Sequence, residues 1–220
     1  MEFDRVISLV SDATIQTLIM VFASTLFSVV LGTPLGIILC VTGENSIISP
    51  KPILNQIISR IVNVLRSFPF IILMVLLFPL SRIIIGTSIG TAATLVPLSI
   101  AAAPFVARIV ETALNEVDSG LILAAKAMGS TKMQIIFKVL IPEALPSLVS
   151  GVTLTIINLI GYSAMAGAIG GGGLGDLAIR YGYQRNIPKV MIVSVIVILV
   201  LVELIQGIGT KITERIMKNR

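Results

Sequence analysis

At 220 residues the chain is 55% hydrophobic and only 12% charged, with no His, no Trp and a formal charge of +5. A soluble domain carries about 25% charged residues, so the composition excludes one and points to an integral membrane protein. The basic excess does not indicate nucleic acid, because Lys and Arg sit at the ends of apolar stretches, as membrane topology requires. Without His several catalytic designs are excluded, no paired carboxylates, Cys/His ligand set or Ser/His/Asp constellation stands out, and the lone Cys40 cannot form an intrachain disulfide.

In chain order, the first charge-free stretch, 13–43, is too long for a signal-peptide core and has neither a basic leader nor a convincing cleavage site. It predicts a retained span at about 15–40. A turn-rich polar loop, 43–54, leads to a second span at 57–80, which Arg66 interrupts. A third span at 89–114 contains the charge-free run 83–107. A polar loop at 115–147 precedes a fourth span at 148–168, inside the charge-free run 147–175. A second polar, turn-rich loop covers 174–188, and a fifth span at 190–209 carries Glu203. Residues 211–220 read as a short cytoplasmic helix end. Arg66 and Glu203 sit near the ends of their spans, where snorkelling to the interface is favoured over a buried pair.

No repeat, low-complexity tract or linker divides residues 1–220, so the expectation is one all-α membrane domain of five spans. With five spans the termini lie on opposite sides. A cytoplasmic C-terminus puts Lys51, Arg60, Arg66, Arg108, Lys126, Lys132, Lys138, Lys211, Arg215, Lys218 and Arg220 inside. Arg5, Arg82, Arg180, Arg185 and Lys189 then lie outside. Eleven against five favours this orientation, N-terminus out, and makes loop 115–147 cytoplasmic.

That loop has a distinctive spacing: Ala124-Ala125, three residues, Gly129, nine residues, then Val139-x-Ile141-Pro142. The pattern predicts a helix ending at Gly129 and a second one starting at Ser130 or Thr131. Thr131 and Gln134 fit a capping box, Pro142 should end that helix, and Pro146 should start the next element. Small side chains at Ala124, Ala125 and Ala127 permit close approach of a partner. Gly129 permits the sharp turn, and Met128 and Met133 offer adaptable apolar contact. An ordinary surface connector is the bland alternative, and the spacing argues against it.

In the fourth span Thr155, Asn158 and Tyr162 share a helical face, extended by Met165 and Ala166. Such a face belongs inside the protein, either in helix–helix hydrogen bonding or along a polar pathway. Gly151 and Gly161 suit close packing beside it. Beyond lie Gly167, Gly170 and their glycine neighbours. Gly170-x-Gly172-x-x-Gly175 imitates a dinucleotide fingerprint, but it follows a membrane span rather than a strand, and no βαβ unit is available. A gate or gate-supporting hairpin is favoured over a floppy external loop. The chain also has no P-loop, so no ATP hydrolysis of that type is its own.

The Leu123–Pro142 spacing resembles the Glu-Ala-Ala loop of bacterial ATP-binding-cassette importer permeases, with Leu123 replacing the Glu. The segments Arg66-Ser67-Phe68-Pro69-Phe70, Gly161-Tyr162-Ser163-Ala164-Met165-Ala166-Gly167, Gly172-Gly173-Leu174-Gly175-Asp176 and Tyr181-Gly182-Tyr183 narrow the resemblance to the methionine branch. It covers essentially the whole chain. The resemblance implies a type I importer-like fold in a bacterial inner membrane. It also implies a homodimer, two copies of an ATPase that binds ATP and Mg, and an extracytoplasmic methionine-binding protein or lipoprotein. By resemblance, Ala124, Ala125, Lys126, Ala127, Met128, Gly129, Ser130 and Thr131 couple to the ATPase. Thr155, Asn158, Tyr162, Met165, Gly167 and Gly170 belong to the pathway or gate. No metal site and no cofactor of the chain's own are expected.

Overall fold

The computed structural model describes residues 3–44 and 46–218, and side chains from residue 6 onward; Arg220 and the Arg5 side chain, counted above, lie outside it. Its order is α1 (Phe3–Thr42), α2 (Pro52–Ser67), α3 (Phe70–Ile85), α4 (Thr91–Asn115), α5 (Ser119–Ala127), α6 (Lys132–Ile135), a π-helical stretch Ile136–Leu140, and α7 (Ile141–Ala168). Then follow α8 (Gly173–Leu177), a second π-helical stretch Ala178–Gln184, and α9 (Pro188–Lys218).

Helix α1 packs chiefly along α4, and glycine explains how closely. A Cβ on Gly32 would stand 2.5 Å from the Ala103 carbonyl oxygen, and one on Gly36 2.5 Å from that of Ala107. Gly32-x-x-x-Gly36 thus faces Ala103 and Ala107, a small-residue seam that lets two backbones meet where lipid supplies no hydrophobic drive. Gly151 of α7 likewise accommodates Ile109 of α4, and Gly209 of α9 accommodates Thr153 of α7. The outer side of α9 exposes Ile192, Ile196, Leu199 and Leu204, as suits a lipid-facing helix.

Among the described residues four helical segments are long and apolar enough to cross a membrane, and the expected second span is a broken one: α2 and α3 meet at 105°. The cause is local. Phe68 precedes a proline and is extended (φ −69°, ψ 130°), and Pro69 starts the next helix. The 16 residues of α3 reach roughly 24 Å at 1.5 Å per residue, short of the ~30 Å hydrocarbon core. Arg66 and Glu203 are both exposed and do not pair with each other.

The two prolines beyond the loop do not separate elements as expected. Lys132–Ala168 is one continuous 37-residue helical segment. The π-helical stretch lies immediately before Pro142, whose ring and missing N–H a regular α-turn could not tolerate; the wider turns relieve that conflict, and Pro146 is carried inside α7.

Candidate functional site: the loop segment, the glycine hairpin and the α7 face

The loop segment is built by two local devices. Helix α5 is capped by Asp118, whose carboxylate accepts from the Gly120 N–H at 2.6 Å. It ends in a Schellman turn: the Ser130 N–H donates to the Ala125 carbonyl at 3.0 Å and the Gly129 N–H to Lys126 at 2.9 Å. Gly129 takes φ +80° there. Helix α6 then begins with the expected capping box, in which the Gln134 N–H donates to Thr131 Oγ1 (3.3 Å) and the Thr131 N–H to Gln134 Oε1 (2.8 Å).

Burial divides the expected coupling residues. Ala125 is 3% exposed and joins the core with Ile135, Ile136 and Leu140, so its small size serves packing within the chain. Ala124, Ala127, Gly129 and Thr131 are exposed, Ser130 half-buried, and Met128 is 79% exposed. Lys126 turns inward to donate from Nζ to the Ile47 carbonyl at 2.6 Å, and Lys132 Nζ reaches Ser49 Oγ at 2.9 Å. Between them Ile48 is buried in the same core. Residues 46–51 therefore strap the loop segment to the α1–α2 connection, a role that no local pattern in 43–54 signals. The outward apolar surface comprises Leu121, Leu123, Met128, Met133 and Phe137. Leu123 belongs to it, so the departure from Glu replaces a carboxylate with an apolar contact.

At the other end of α7 the glycine cluster is a packed hairpin. Gly171 and Gly170 close a second Schellman turn on Ala166 and Gly167, with Gly170 at φ +90°. The Gly173 and Leu174 N–H groups donate to Gln16 Oε1 (2.8 Å) and Thr17 Oγ1 (2.9 Å) of α1, and the Gly90 N–H donates to the Gly170 carbonyl. A Cβ on Gly167 would collide with the Asp176 backbone nitrogen, and one on Gly175 with the Ala164 carbonyl. Two chain segments pass here at backbone contact, which excludes a floppy loop. The expected loop 174–188 is largely helical, with α8, the second π-helical stretch and the Arg180–Asp176 ion pair at 2.6 Å.

The α7 face divides as well. Thr155 is 1% exposed and donates to the Gly151 carbonyl of its own helix. Asn158 and Met165 are exposed, and Tyr162 is half-buried with its ring stacked on Phe70 (centroids 4.4 Å, planes 4° apart). The open stripe of α7 runs through Leu154, Asn158, Gly161, Met165 and Ala168. A Cβ on Gly161 would meet nothing within 4 Å, so its close-packing role is not used inside this chain.

Asn158 and Tyr162 line a cavity of about 320 Å³ with Arg66, Phe68, Phe70 and Phe105. A wider one of about 970 Å³ lies toward the loop segment, between α4, α7 and the end of α9, with Glu116, Asp118 and Glu143 on its wall. Among the described residues no cluster of His, Cys, Asp or Glu could hold a metal ion.

The class of protein that these helices build, a membrane transport subunit, is given by comparison with known proteins. The family described as binding-protein-dependent transport system inner membrane component matches residues 32–217. The chain belongs to that family: it is a membrane permease subunit, not an enzyme. It is 48% identical over 211 residues to the probable D-methionine transport system permease protein MetI of Pasteurella multocida (strain Pm70), covering 96% of this chain and 97% of that one. It is 50% identical to the methionine import system permease protein MetP of Bacillus subtilis (strain 168), covering 82% and 81%. Its fold superposes on a chain of the MetNI methionine ABC transporter in an inward-facing conformation with a TM-score of 0.92, at 46% identity and coverage of 98% and 99%.

Proposed function

We propose that this chain is the pathway-forming subunit of an ATP-driven methionine importer, taking D- or L-methionine or both. The observation that carries the reading is 48% identity to a methionine permease over 96% of this chain, joined to a loop segment whose exposed Leu123, Met128 and Met133 suit an apolar groove on a partner. Two copies of the chain form the pathway along their open α7 stripes. Two copies of a cassette ATPase, which bind ATP and Mg, dock on residues 115–147. An extracytoplasmic methionine-binding protein delivers substrate to the glycine-hairpin end, which supports the gate. The N-terminus lies outside and the C-terminus in the cytoplasm, following the basic-residue bias.

The test is reconstitution. The chain, its ATPase and its binding protein in liposomes should accumulate radiolabelled methionine only when ATP is enclosed with the ATPase. Uptake of another amino acid in place of methionine would leave the subunit class intact and replace the substrate.

A further inference from the structure

The α2–α3 corner brings together polar groups that no other described residue satisfies. Arg66 lies in the last turn of α2, one residue before the break, and it lines both cavities together with Phe105. Among the described residues it makes no hydrogen bond or ion pair, and neither does the Asn158 or Tyr162 side chain across the smaller cavity. The contrast with Arg108 on the wider cavity is direct. Arg108 is engaged by Glu111 at 2.6 Å and Asn63 at 2.9 Å and also by Ser59, and so it holds α4 to α2.

A guanidinium is a rigid fork of donors that matches a carboxylate in two parallel hydrogen bonds. The Asn158 amide offers a donor and an acceptor, and Tyr162 a hydroxyl. The remaining walls, Phe68, Phe70, Leu73 and Phe105, are apolar. This combination fits a small zwitterion with an apolar side chain: carboxylate on Arg66, side chain among the rings. The next compartment carries Glu116, Asp118 and Glu143 together with Arg66 and Arg108 on its wall, so a zwitterion leaving in that direction meets polar groups of both signs.

We infer that Arg66, Asn158 and Tyr162 form a transit site for the carboxylate end of an amino acid, with Arg66 as its anchor at the junction of the two cavities. The inference rests on the reading of the chain as an amino-acid importer and adds to it a residue that reads the substrate inside the membrane.

The experiment uses the complete complex in liposomes, with binding protein in excess, and measures methionine carried per ATP hydrolysed. Arg66→Gln should lower that ratio roughly tenfold, the scale of one charge-assisted contact, through the maximal rate rather than KM, because capture from solution belongs to the binding protein. Arg66→Lys keeps the charge but loses the fork, and should fall between the two. If Arg66→Gln assembles poorly, Arg66→Lys carries the test, and a wild-type ratio in that variant overturns the anchoring role. An unchanged ratio in well-assembled Arg66→Gln overturns the transit site and leaves the importer reading standing. Absence of methionine uptake by the wild-type complex removes the importer reading, and this inference with it.

Discussion

Gly129 combines φ +80° with empty space around the position of a Cβ, so a substitution there acts through the backbone and not through a clash. Valine is strained in that region by about 1 kcal/mol or more, whereas asparagine tolerates it. Gly129→Val should therefore insert normally but misdirect the start of α6, lowering ATP-driven uptake and the amount of copurified ATPase together. Gly129→Asn should retain most of both. Normal values for the valine variant would make the segment a mere connector. Gly175 is the opposite case, since its missing Cβ is replaced by the Ala164 carbonyl. Backbone cannot yield as a side-chain tip can, and overpacking of this kind costs about 1–3 kcal/mol. Gly175→Ala should lower the thermal midpoint of the purified protein, and an unchanged midpoint would mean that the hairpin repacks freely.

Among the elements, those governed by neighbours in sequence were legible beforehand. The Thr131–Gln134 capping box and the turn at Gly129 depend on six residues, and the structure has both. The long apolar helices were legible for the same reason. The α2–α3 corner was harder: Phe68-Pro69 is a visible break, but the apolar residues on both sides read as one span, and only the three-dimensional bend brings Arg66 to Asn158. Continuity from α6 through α7 was hidden because a π-helical stretch can absorb a proline that hydropathy and propensity treat as a stop. Ala125 shows a further limit, since the spacing marks a small residue without saying whether a partner or the core needs it. The strap at 46–51 was equally silent, and it makes a prediction of its own. Ile→Ala in a core costs about 2–5 kcal/mol, and Ile48 is buried against Ala125 and Ile135. Ile48→Ala should speed amide hydrogen exchange in 119–140 while leaving α3, which has no residue in that core, unaffected. Exchange unchanged in the loop segment would show that Lys126 and Lys132 hold it without the buried side chain.

At the scale of the whole molecule, orientation and assembly are linked, because the loop segment and the glycine hairpin lie at opposite ends of α7. In a Cys40→Ala background, a cysteine replacing Tyr183, which is 76% exposed, should react with an impermeant thiol reagent in intact cells. One replacing Lys218 should react only after lysis. The reverse pattern would put the loop segment outside the cell and end the case for ATPase docking.

The open stripe of α7 allows the most demanding test. Gly161 and Met165 are exposed, and a Cβ at Gly161 meets nothing within 4 Å, while Leu154 and Asn158 open onto the two cavities of the chain. Around a two-fold axis each such residue occurs twice, and tryptophan at Met165 would crowd a shared passage from both sides. Met165→Trp and Asn158→Trp should then block methionine uptake while the complex still assembles with its ATPase, because docking surface and obstruction are separated along α7. If the stripe instead packs tightly against the partner helix, tryptophan should split the dimer and reduce complex yield, with uptake falling only in proportion. Yield measured beside uptake separates the two outcomes. Gly161→Ala sharpens the comparison: one methyl group is harmless within the chain, so a loss of assembly from so small a change could come only from a close second copy. A fully assembled Met165→Trp complex that imports methionine at the wild-type rate would take this face out of the pathway, and the passage would then have to be sought along α4 and the α2–α3 corner.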